Sequence, residues 1–161
     1  MRTIFHPEKR QNSRMRTMLL VLLCALGPNL SAQQARLIDW EMLAKVEFVD
    51  KYFPDYEAWY LMPQFSEQVK ALDGKKVIIN GYLIPLDTDG GRYALSAYPF
   101  SACFFCGGAG PESVISLHFA AKNPRYKTDQ KETFTGTLHL NTEDVYDFHY
   151  ILREARPFED N

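Results

Sequence analysis

Cys103-Phe104-Phe105-Cys106-Gly107-Gly108 is the stretch of this chain best equipped for chemistry. Two cysteines at this spacing can share a metal ion, close into a disulfide, or cycle between thiol and disulfide. In the metal reading, the turn aims backbone N–H groups at the sulfurs, and Gly107 and Gly108 let the chain fold back. N–H dipoles favour thiolate, the form that ligates metal. Zinc ordinarily takes four ligands, so Cys103 and Cys106 supply half a site, for zinc first and copper second. His118 is the nearest further candidate, leaving its strand on the polar face opposite Ile115, Leu117 and Phe119. His139 shares a face with Thr133, Thr135 and Thr137, which reads as solvated, and His149 stands at the start of a strand.

The disulfide reading rests on compartment. Export would carry the pair into oxidising surroundings, where neighbouring thiols pair. So small a loop stabilises a fold by roughly 2 kcal/mol or less, so a bond would rigidify the loop rather than hold the domain together. A thiol–disulfide carrier wants its C-x-x-C at a helix N-terminus. Here Gly107-Gly108-Ala109-Gly110-Pro111 follows and then a strand, which argues against that chemistry. Phe104 and Phe105 are expected to pack on neighbouring strands, with one of them a candidate partner contact. Gly107–Gly110 lacks the Lys-Ser/Thr pair of a phosphate loop. Asp87 and Asp89 begin like a calcium loop, but its twelfth position would be Tyr98 instead of Glu. No catalytic residue is assigned.

The N-terminus reads as an export signal. Arg2, Lys9, Arg10, Arg14 and Arg16 form a basic region before the apolar run from Met18 to Leu26, and small residues lead to Ala32. The run is shorter than the ~20 residues of a membrane span and suits a signal cleaved after Ala32, with Met1 or Met15 as the start. Cys24 raises a lipoprotein reading, but Leu23 before it is too large and apolar residues follow it, so the cysteine is expected to leave with the signal. Cleavage removes five of 18 Lys and Arg and one of 20 Asp and Glu, leaving about 129 residues and a net charge near −6. An acidic exported protein is a poor nucleic-acid binder, and nothing after residue 32 is long and apolar enough for a membrane helix. The location implied is periplasmic or secreted.

These features need a scaffold, and residues 33–161 read as one domain. Asp39 can cap a short helix carrying Trp40 and Leu43. Val46–Phe53 alternates like a strand. Pro63 suits the first turn of a helix to Leu72, with Phe65, Val69 and Leu72 on one face and Gly74 ending it. Five strands follow: Lys76–Leu86, Arg92–Tyr98, Glu112–Ala120, Glu132–Leu140 and Phe148–Arg156. Asp87 to Gly91 makes a hairpin turn. Gly81 is expected to mark a bulge or bend, and Gly136 is a second central glycine. The fold class implied is mainly β: a small OB-like barrel, closed or partly open, with one or two short N-terminal helices. A β-sandwich is the alternative.

The segment from Leu72-Asp73-Gly74-Lys75-Lys76-Val77 through Gly81-Tyr82-Leu83-Ile84-Pro85-Leu86 resembles the opening of a family of exported bacterial proteins of unknown function. Cys103 stands at that family's cysteine, and Trp40 and Pro63-Gln64-Phe65 match its upstream Trp and P-x-F. Many relatives carry Cys-x-His where this chain has Cys-Phe-Phe-Cys. Because Cys and His both ligate zinc or copper, that exchange suits a metal-binding position. Some relatives occur beside ABC-transporter components, which implies an accessory role with an envelope protein or transporter component as partner. The leading expectation is a non-catalytic periplasmic binding or accessory protein that takes zinc or copper at Cys103 and Cys106. A structural envelope module with a Cys103–Cys106 disulfide at a partner-contact loop comes second, and a thiol–disulfide carrier third.

Overall fold

Alternating apolar residues organise the C-terminal two-thirds of the chain. In strand β4 (Lys76–Pro85), Val77, Ile79 and Leu83 point to one side and are buried. Tyr93 and Leu95 of β5 (Tyr93–Ser96), Ile115 and Leu117 of β6 (Val114–Phe119), Phe134 and Leu138 of β7 (Lys131–Leu140), and Tyr150 and Leu152 of β8 (Tyr150–Pro157) join them in one cluster. Period-two burial on five strands is best satisfied by curling the sheet around that side. The computed structural model, which describes residues 34–87, 91–121 and 125–159, has this architecture. The strands run β4-β5-β6-β8-β7, and β7 pairs back to β4, closing a five-stranded barrel. All neighbours are antiparallel except β6 and β8, which are parallel. The expected mainly β, OB-like barrel with short helices is the fold observed. The export signal, Cys24 and the cleavage position lie outside the described residues, as do Thr88 to Gly90 of the hairpin turn. At the flanks of that turn, the Asp87 carboxylate accepts from the N–H groups of Gly91 and Arg92.

The N-terminal segment stoppers the barrel. Strand β1 (Arg36–Leu37) runs parallel to β4. Helix α1 (Trp40–Leu43) begins where Asp39 accepts from the Met42 N–H at 2.8 Å, the expected cap. Its Leu43 is buried in the barrel cluster, and the Leu43 carbonyl accepts from the Tyr150 hydroxyl at 2.6 Å. Strand β2 (Val46–Phe53) then pairs with β3 (Ala58–Phe65) over eight residue pairs, as a separate two-stranded hairpin.

That hairpin corrects the expected helix from Pro63. Pro63 lies in β3 opposite Phe48, and the helix is only one turn, α2 (Glu67–Lys70), capped by Ser66. Tyr60-Leu61-Met62-Pro63 finds a full-length partner in β2, and proline is tolerated in a two-stranded edge. The face assignment survives the change of element. Phe65, Val69 and Leu72 are all buried in the barrel cluster, contributed by strand end, helix and turn in succession.

The register shift falls opposite Gly136 and not at Gly81. Gly81 pairs with Glu132 of β7 without a register shift, and on its other side the pairing with β5 begins one residue later, at Tyr82–Ser96. A Cβ there would lie 2.7 Å from the Ser96 carbonyl oxygen, so this glycine permits close backbone approach. The irregularity is in β8, where Arg153 pairs with Thr137 and Arg156 with Thr135, leaving two residues opposite Gly136. Glu154 takes φ of 53°, in the left-handed region, and the same extra residue shifts the pairing with β6. A bulge there sharpens the coil that a five-stranded closure needs.

Candidate functional site

The Cys103 loop, the connection between β5 and β6, lies over the outside of the barrel. Barrel strands alternate, so Ala94, Ser96, Val114 and Ser116 face away from the core, yet all are buried. What covers them includes Cys103, which is fully buried in a small cluster with Ile84 and Ala94, flanked by Leu86 and Phe148. The loop holds three short 3-10 turns, Phe100–Ala102, Phe104–Cys106 and Pro111–Ser113, with Cys103 at the junction of the first two. Asp129 ties the start down by accepting from the Phe100 N–H at 2.7 Å. Gly107, at φ of 73°, reverses the chain after Cys106.

The turn brings the two cysteines together but does not aim its N–H groups at their sulfurs. Cys106 and Gly108 both donate to the Cys103 carbonyl, at 3.1 and 3.2 Å, and Gly107 donates to Phe104. The Cys103 thiol itself donates to the Phe100 carbonyl, with 3.1 Å between sulfur and oxygen. Cys106 is exposed, and both residues stand as free thiols. Desolvation by neighbouring atoms, the charge of the second sulfur and a hydrogen bond to it all push the Cys106 thiol up. The raised Cys106 thiol favours its protonated form. That corrects the expectation of a thiolate-stabilising knuckle, because a 3-10 turn spends its N–H groups on its own carbonyls.

The expected third ligand is engaged elsewhere. His118 Nε2 lies 2.9 Å from an Asp147 carboxylate oxygen. The pair lines a groove of about 380 Å³ with Arg92, Tyr93 and Tyr146. His139 pairs with Asp73 at 3.5 Å. His149 is packed against the Phe48 ring, and its Nδ1 is buried without a hydrogen-bond partner. Desolvation lowers its pKa, partly offset by the backbone of Asn141 and Leu61. Among the described residues, no three or more His, Cys, Asp or Glu side chains are grouped to hold a metal ion. Cys103 and Cys106 are thus brought together, and His118 is not added to them.

A second groove, of about 260 Å³, has Phe104 and Pro111 on one wall, Tyr60, Leu61 and Met62 of β3 on another, and residues 144–149 on the third. Phe104 contacts Phe105 edge to face at 5.7 Å, and Phe105 contacts Phe148 at 5.8 Å. Both loop phenylalanines remain partly exposed, Phe104 at 36% and Phe105 at 40%, and Tyr146 is 80% exposed. Tyr146 continues the aromatic surface to Tyr56, 5.7 Å away, and so onto the hairpin.

Asn141, absent from the sequence-based candidates, builds the third wall. Its buried side-chain amide donates to the carbonyls of Asp144, Asp147 and Phe148 and accepts from the N–H groups of Glu143 and Asp144. One side chain thereby shapes the whole connection from β7 to β8. The available signal was a polar Asn-Thr-Glu-Asp run between two strands, where Asn closes turns on its own backbone.

No protein-family model and no curated protein sequence matches the chain. Among solved structures, it is similar to a DUF3299 family protein from Pseudomonas aeruginosa, over 80% of this chain and 99% of that one, at 18% identity and a TM-score of 0.49. That neighbour belongs to a family of unknown function. No helix among the described residues is long and apolar enough to cross a membrane.

Proposed function

We propose that this is a non-catalytic, exported accessory protein that grips an apolar segment of an envelope protein between its Cys103 loop, its hairpin and the connection from β7 to β8. The observation that carries this reading is the pair of partly exposed aromatic side chains, Phe104 and Tyr146, lining one groove, with the partly exposed Phe105 against Phe104 beside it. Aromatic residues that stay wet in the free protein are the usual anchors of contact surfaces. Asp144 and Asp147 line the same groove. The segment that fits it carries an apolar anchor beside Lys or Arg. The resemblance to exported proteins found beside ABC-transporter components supports an envelope partner.

In this reading the cysteines brace the loop. On export, the two thiols lose two protons and two electrons to an acceptor disulfide, which becomes a dithiol, and an S–S bond joins Cys103 to Cys106. The full burial of Cys103 against Ile84 and Ala94, away from any incoming ion, supports bracing over ligation. One observation favours a second reading. Two adjacent sulfurs without a third ligand among the described residues suit copper(I), which soft thiolates select, better than four-coordinate zinc.

The test uses mature protein purified from an exporting host. Thiol titration should find none before reduction and two after it, with no stoichiometric metal. Two free thiols with one copper per chain would replace bracing with the second reading. A photo-crosslinking residue at Phe105 should give a discrete envelope adduct, blocked by an added peptide with an aromatic anchor flanked by lysines. The same residue at Glu132, outside the groove, should give none. Equal crosslinking from both positions would sink the docking surface.

A further inference from the structure

The β2–β3 hairpin is half of a sheet. Two strands alone are marginally stable in water, and a long free strand edge is a template for another strand. His149 packs against Phe48 of β2 and the Leu61 backbone of β3, so it backs both strands of the hairpin. On the β2 side, no strand among the described residues pairs with Val46–Phe53. Apolar residues are exposed on both strands of the hairpin, Val49 at 39% and Tyr52 at 45% on β2 and Trp59 at 68% and Leu61 at 48% on β3.

The sequence of β2 specifies a partner for that edge. In an antiparallel pair of two identical strands, opposed residues must present their backbone groups in the same direction. The strand period is two, so the two-fold axis must pass through a residue. Centred on Glu47, the pairing opposes Glu to Glu. Centred on Phe48, it opposes Lys45 to Lys51. Centred on Asp50 or Lys51, it opposes that residue to itself. Centred on Val46, Tyr52 or Phe53, it overlaps three residues of β2 at most. Centred on Val49, it sets Glu47 against Lys51 twice, Val46 against Tyr52 twice, Phe48 against Asp50 twice, and Val49 against Val49, with no like charges opposed. Cross-strand pairs of opposite charge stabilise a sheet and like charges oppose it.

We infer that a second copy of this chain occupies the β2 edge, pairing antiparallel about Val49 to form a continuous four-stranded sheet, β3-β2-β2-β3, across a two-fold dimer. The interface is isologous, so each favourable contact occurs twice. It covers the exposed edge and leaves the groove beside Phe104 open on the opposite side of each hairpin. Acidic and basic residues on β2 thereby select register, where a strand built only to repel would carry one sign of charge.

Sedimentation equilibrium of the mature protein, in reductant to exclude a Cys106–Cys106 crosslink, should show a dimer. Glu47→Lys opposes lysine to Lys51 at both ends and should weaken dimerisation about tenfold or more. Glu47→Lys with Lys51→Glu restores both opposed pairs and should return the dissociation constant to within about threefold of the parent. Val49→Pro removes the central N–H and should give a monomer. Circular dichroism checks that each variant is folded. A wild-type monomer at the solubility limit, or a dimer that ignores both Glu47→Lys and Val49→Pro, overturns the inference. Failure of the double variant to recover while it remains folded also overturns the register.

Discussion

Cys103 and Cys106 have the same side chain and opposite surroundings, because a 3-10 turn buries one against Ile84 and Ala94 and leaves the other outside. Reagents should meet only Cys106 while the protein is folded. Its thiol is raised, so alkylation should be slower at pH 7 than for an unhindered cysteine peptide and should speed up as pH climbs through the alkaline range. Mass-resolved alkylation rates against pH check this. Reaction at neutral pH as fast as the peptide, or equal labelling of Cys103, would contradict the described turn. The same loop explains why neighbouring phenylalanines behave alike. Each has one edge on the other ring, and Phe105 reaches Phe148, so neither is fully buried nor fully free.

Two irregular elements carry the geometry around the barrel. The connection from β7 to β8 depends on Asn141, whose side chain satisfies three carbonyls and two N–H groups. Asn141→Ala strands those groups and should lower the unfolding free energy by about 2 kcal/mol. It should also loosen residues 142–149, read as faster amide exchange confined to that connection. The bulge in β8 makes the opposite prediction. Glu154 is exposed and holds φ of 53°, a conformation that costs an L-residue roughly 1–2 kcal/mol. Glu154→Gly relieves that strain at some cost in unfolded-chain entropy and should stabilise the protein by about 0.5–1 kcal/mol, measured by denaturant unfolding.

At the scale of the molecule, hairpin and barrel meet at His149. The imidazole is desolvated beside Phe48, and its pKa is lowered in the folded state. It is therefore neutral in the native protein and binds a proton first in the unfolded chain. Stability should be full above the unfolded value of about 6.5 and decline as pH falls from there toward the lowered native value. His149→Gln should remove this part of the pH dependence in denaturant midpoints between neutral and mildly acidic pH. An unchanged slope in that variant would assign the acid sensitivity to other groups. Because His149 backs β3, the same protonation should loosen the hairpin first, seen as aromatic signals of Tyr52 and Trp59 shifting before those of Tyr93.

The sequence by itself determined the barrel. Val77, Ile79, Leu83, Ile115, Leu117, Phe134 and Leu138 fall on alternate positions of their strands, and period-two burial is written locally. Asp39 as a cap and the buried face of Phe65, Val69 and Leu72 were legible for the same reason. Tertiary structure decided what depends on distant partners. Pro63 sits in a strand because Phe48 is opposite it, and the bulge falls at Glu154, where nothing in Arg-Glu-Ala marks it. The spacing of Cys103 and Cys106 guaranteed that the sulfurs meet. The choice between ligation and bracing turns on which carbonyls take the loop's N–H groups and on the capture of His118 by Asp147. The N–H bonds around the two cysteines are local, within five positions, but the capture of His118 by Asp147 spans 29 positions, and local pattern carries no trace of it.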